Sequence, residues 1–226
     1  MSYPKKRESA CPYCGSNVNR WFWDSIDLEC HPEASAKLKN GEYFKTTCGS
    51  CGKTQYEEYS MVCFDKKKGV CILFTTGDDW ERFFYLDWLL DEKLRLCKVH
   101  QSDDLTEKVL AIQNGRDDRI VEMCKYQTLL KFAVHVHGFD LTNLYYSNED
   151  GKEKIIGINT NGVKAITEFP EETYRLFDEA FRDVLPETRA KYDVYDTEWA
   201  DNFISEHWDL VRNILLLRKE QKLANE

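Results

Sequence analysis

The sequence predicts an α+β protein: an N-terminal metal ribbon of antiparallel strands with helices, followed by a β-meander and C-terminal helices. Three observations predict it. Two cysteine pairs, Cys11-Pro12-Tyr13-Cys14-Gly15 and Cys48-Gly49-Ser50-Cys51-Gly52, have the form of metal knuckles. Segments rich in bulky and β-branched residues are punctuated by turn residues, as strands are. Longer segments begin at Pro, Ser or Asp and stop at Gly or Pro, as helices do.

In chain order, residues 20–28 are strand-like, with Trp21, Trp23 and Ile26 among their bulky side chains. Pro32 at a first helical position, with Glu33 beside it, opens a short helix that Asn40-Gly41 stops. Residues 42–47 lead into the second cysteine pair. Residues 55–64 and 70–75 read as strands joined by the turn Asp65-Lys66-Lys67-Lys68-Gly69, whose lysines form a solvated tip. Residues 78–92 carry Trp80, Phe83, Phe84, Tyr85 and Trp88, a spacing that suits either a helix or an irregular packed segment. Residues 94–99 resemble a buried strand. Ser102 can cap a helix whose first turn holds Asp103 and Asp104 and which stops at Asn114-Gly115; a second helix runs from about 117 to 132.

A second part is expected from about Phe139, so that residues 1–138 and 139–226 form the two domains. Strands at 140–146, 154–159 and 163–169 are joined by Asn148-Glu149-Asp150-Gly151 and Thr160-Asn161-Gly162, both hairpin signals. Pro170 opens a helix through Leu185 that buries Tyr174, Phe177, Ala180 and Phe181. Asp196 caps a last helix to about Leu223, whose apolar stripe is expected to dock on the protein's own core rather than build a dimeric coiled coil.

A two-residue gap lets both sulfurs of a pair face one ion, and the Gly that follows supplies the positive φ of the turn. Two pairs therefore give four thiolates, Cys11, Cys14, Cys48 and Cys51, which make a closed tetrahedral site for one structural zinc ion per chain. Redox chemistry suits a single pair at a helix start better than two Gly-followed pairs. The segment between the pairs is short and polar, so a metal cross-link replaces an apolar core there. The other cysteines, Cys30, Cys63, Cys71, Cys97 and Cys124, sit beside apolar residues and are expected to pack as small hydrophobes.

No catalytic residue and no organic cofactor site is assigned. There is no phosphate loop, nucleophile elbow or HExxH helix. Acid pairs such as Asp117-Asp118 fit helix starts. His31 beside Cys30 is a poor joint ligand, because adjacent strand residues face opposite ways. His135 and His137, with Asp140 nearby, share a face in an extended chain and supply the one enzyme alternative, a metal-dependent hydrolase. His100 and His207 are isolated.

The net charge is −9, carried unevenly: residues 1–70 hold 11 Lys or Arg against 9 Asp or Glu, and the remainder 20 against 31. A nucleic-acid-associated ribbon is therefore an alternative without a basic stripe to support it, and nucleic acid is not the expected partner. A protein partner or a second copy is, through the aromatic-rich surface around Trp80 to Trp88. No apolar run approaches the ~18 residues of a membrane helix. The basic start has no apolar stretch behind it, so the cytoplasm is the expected compartment.

The chain resembles the CpXC-domain family over roughly residues 8–131. The resemblance is carried by Cys11-Pro12-Tyr13-Cys14, Ile26-Asp27-Leu28, Pro32-Glu33, Asn40-Gly41-Glu42 and the second cysteine pair. It continues in Val62-Cys63-Phe64-Asp65, Glu107-Lys108 and Asp117-Asp118-Arg119. Gly49 stands where that family often has proline, and Phe64 where a histidine is expected before the aspartate. The first change leaves metal binding intact; the second weakens any function that needs a histidine there. The resemblance implies a zinc-ribbon-like fold and a prokaryotic source, and no particular activity.

Overall fold

Met61-Val62-Cys63-Phe64 and Val70-Cys71-Ile72-Leu73-Phe74 contain no polar residue, and strands apolar at consecutive positions must be covered on both faces. The computed structural model, which describes residues 4–77, 94–135, 141–187 and 192–224, bears this out. β6 (Met61–Asp65) and β7 (Val70–Phe74) pair antiparallel, and every residue in both is buried. Their turn closes with Gly69 at φ 66° and the Lys68 N–H donating to Asp65 Oδ1 at 2.9 Å. β3 (Ser25–Asp27) adds parallel to β6 and β8 (Arg95–Val99) parallel to β7, in the order β3-β6-β7-β8. Register sets the two faces: Val62, Leu73, Phe64, Cys71 and Leu96 lie on one, and Met61, Phe74, Val99, Cys63, Ile72 and Cys97 on the other. The expectation of antiparallel strands thus holds for the ribbons and the meander, while this central sheet is mixed.

The chain divides into two units, residues 1–109 with 188–194 and residues 110–187 with 195–226. The join expected at 138 and 139 lies outside the described residues. In the first unit, two segments expected as single strands are each divided between sheets. Residues 20–28 pass from β2 (Asn17–Phe22), paired antiparallel with β1 (Lys5–Ala10), into β3. Residues 55–64 pass from β5 (Thr54–Tyr56), paired with β4 (Lys45–Thr47), into β6. Polar contacts hold the two breaks: the Trp23 backbone N–H donates to Tyr59 Oη at 3.2 Å, and Tyr59 donates to Tyr43 at 2.9 Å. α1 (Pro32–Lys39) starts and stops where expected, closing with Gly41 at φ 65°, Gly41 N–H on Leu38 O and Glu42 N–H on Lys37 O. Residues 192 and 193 return to the sheet, where the Lys98 N–H donates to Asp193 O at 2.8 Å and Tyr192 packs on Leu96 and its neighbours.

α2 (Ser102–Gln113) begins at its expected cap; the Ser102 hydroxyl is bonded to Glu58 and Tyr56 instead. In the second unit the meander forms as the turn signals require. β9 (Leu141–Glu149), β10 (Lys152–Asn159) and β11 (Lys164–Glu168) are antiparallel with β10 central. Asp150 and Gly151 both have positive φ, 53° and 77°, the two-residue turn that matches strand twist. α3 (Asp118–His135) and α4 (Glu171–Phe181) cover a core of Ile120, Met123, Tyr146, Ile155, Phe177 and Phe181. The last helix is two rather than one. α5 (Thr197–Glu206), capped by Asp196 Oδ1 on the Trp199 N–H at 2.8 Å, ends at His207, and α6 (Trp208–Ala224) follows. His207 leaves helical geometry at φ −110°, ψ 18°, its ring stacked on Phe203 at 4.4 Å. The expected docking stripe is buried to Val211 and half-buried at Ile214; Leu215, Leu216 and Leu217 are exposed.

A half-buried charge organises this unit. Arg116 Nε donates to Glu153 Oε1 at 3.0 Å and Nη2 to both Glu153 and Glu171. Its guanidinium lies 5.0 Å from the Phe169 ring centre and 4.6 Å from that of Tyr174. Tyr146 donates to Glu153 and accepts from Asn114. The Arg116 hydrogen bonds, reinforced by Tyr146, hold the Glu153 carboxyl below the usual carboxylate range against the opposing effect of burial. A lowered folded pKa contributes stability above the unfolded value that disappears as pH falls through the folded one. Glu153→Gln should therefore cost about 1–3 kcal/mol at pH 7, with the loss shrinking below about pH 4. Urea denaturation of both proteins at pH 7 and pH 3 checks it, and an equal loss at both would contradict the ionic account.

Of the five cysteines outside the two knuckles, Cys63, Cys71, Cys97 and Cys124 are fully buried, and burial raises the thiols of Cys63, Cys71 and Cys124. Cys30 corrects the expectation: it is exposed, in the turn where Asp27 Oδ1 accepts from the Glu29 and Cys30 N–H groups. Thiol labelling of metal-loaded protein should modify one of these five, Cys30, and denaturation should release the rest.

Candidate metal centre

Each cysteine pair is the loop of a hairpin. The first joins β1 to β2 and the second joins β4 to β5. Both fold alike. The Cys11 N–H donates to Ser16 O and the Gly15 N–H to Cys11 O, at 2.8 Å each. At the second, the Cys48 N–H donates to Lys53 O and the Gly52 N–H to Cys48 O, at 2.9 Å each. Gly15 and Gly52 have φ 72° and 70°, where a side chain is strained. These turns aim both sulfurs of a pair out of the loop.

The two loops then meet. All four sulfurs lie within 4.8 Å of one another, with Cys11 3.8 Å from Cys51 and Cys14 3.8 Å from Cys48. Cys11 and Cys48 are buried, and Cys14 and Cys51 are exposed. A tetrahedral ion with metal–sulfur bonds of about 2.3 Å needs sulfurs about 3.8 Å apart. Both measured cross-loop separations match. The four residues named from the sequence can hold a metal ion, and among the described residues no other group of three or more His, Cys, Asp or Glu side chains can.

Ser16 was not legible from the cysteine spacing. Its hydroxyl lies 3.0 Å from Cys14 Sγ and 3.3 Å from Cys48 Sγ, so one side chain serves a sulfur from each loop. That hydroxyl is the largest influence lowering the thiols of Cys14 and Cys48, the latter to about 6 with help from the Cys51 and Ser50 N–H groups. Cys51 moves the other way, to about 11: the Lys53 N–H favours its thiolate, but burial and the neighbouring thiols outweigh it. Lowered pKa values favour the thiolate, the form that ligates metal. Lys53 Nζ also sits 4.7 Å from the Tyr13 ring centre, tying the second loop to the first.

The remaining candidates are dispersed. His31 precedes α1 and packs tilted against Trp23, ring centres 4.6 Å apart, outside the cysteine cluster. His207 serves the helix break. The side chain of His135, together with His137, Asp140 and the segment from Trp80 to Trp88, lies outside the described residues. Among the described residues no helix is long and apolar enough to cross a membrane.

No curated protein and no solved structure matches the chain. A family model described as CpXC protein matches residues 10–125, a stretch that begins just before the first cysteine pair, contains the second, and ends within α3. With half of its length under that match and both metal-ligand pairs inside it, the chain belongs to the CpXC family.

Proposed function

We propose that the ion at the four cysteines is zinc, that it is structural, and that the protein is a cytoplasmic binding or regulatory module of prokaryotic origin. The 3.8 Å separations across the two loops carry the zinc assignment. Four thiolates in a tetrahedron suit zinc, a closed shell with no geometric preference of its own. Four protein ligands leave no position for substrate or water, so the ion's work is to hold the fold. Recognition then falls to side chains away from the metal, with a protein partner, a second copy of the chain or a small ligand as the object. The net charge of −9 opposes long nucleic acid in that role.

Elemental analysis of protein purified under reducing conditions should find one zinc per chain. Absence of metal, with a Cys11–Cys14 disulfide in its place, would refute the assignment. Cys14→Ser should lose the ion and lower Tm by about 10 °C or more, because structural zinc contributes directly to folding. Zinc should also dissociate on acidification, since protons compete for the thiolates; retention to pH 3 would argue against a thiolate site. Ser16→Ala, which keeps all four ligands, should bind zinc about 10- to 100-fold more weakly.

A further inference from the structure

We draw no further inference here: the strongest candidate, the exposed apolar face of α6 that carries Trp208, Leu215, Leu216 and Leu223, carries nothing because nothing in the structure shows what covers it.

Discussion

Four sulfurs from two hairpin loops must converge within bonding distance of one point, and the N-terminal half of the first unit is arranged around that requirement. The apolar cluster at this end consists of Cys11, Val18 and Cys48, so two of its three members are themselves ligands. Burial this small cannot offset the conformational entropy of ordering four short strands. A metal cross-link can, because it closes the 33-residue loop between Cys14 and Cys48. β2, β3 and α1 all lie inside that loop. Strand β2 leads directly out of the first knuckle and β4 directly into the second.

The second unit solves its packing differently. Its core is aromatic, with Phe177, Phe181, Phe203 and Trp199 in successive ring contacts of 5.1 to 5.5 Å. At one edge Arg116 is enclosed by two carboxylates and two aromatic faces. A charge in that position is tolerated only when its donors are met, and removing one partner leaves the other uncompensated. The arrangement therefore acts as a lock on geometry: β10 through Glu153, and α4 through Glu171, are fixed to the same guanidinium.

Local signals were legible in the sequence and non-local ones were not. The metal ligands were readable because a knuckle is a short motif whose spacing is its chemistry. Pro32, Gly41, the Asp150-Gly151 turn and the Asp196 cap were readable for the same reason, since each acts on its own backbone. The breaks at Trp23 and between Tyr56 and Met61 were not, because the residues there are as bulky as strand residues and are held by Tyr59 and Tyr43 from elsewhere. Parallel pairing of β3 with β6 and of β7 with β8 depends on partners far apart in the chain. Ser16 and Arg116 carry no motif; a hydroxyl two residues past a ligand and an arginine after Asn-Gly acquire meaning only from what faces them. The break at His207 was hidden because the apolar stripe continues through it.

The return of residues 192 and 193 to β8 has a consequence for how the molecule is made. The outer edge of β8 is covered by chain that follows it by more than ninety residues, with most of the second unit in between. At ribosomal rates of about 5–20 residues per second, that edge stays open for roughly 5–20 s after β8 has been synthesised. An uncovered edge on a sheet apolar on both faces is a template for pairing with another chain. The nascent protein therefore passes through an interval in which self-association competes with completion, and a fragment ending with the family match at residue 125 would remain in it permanently.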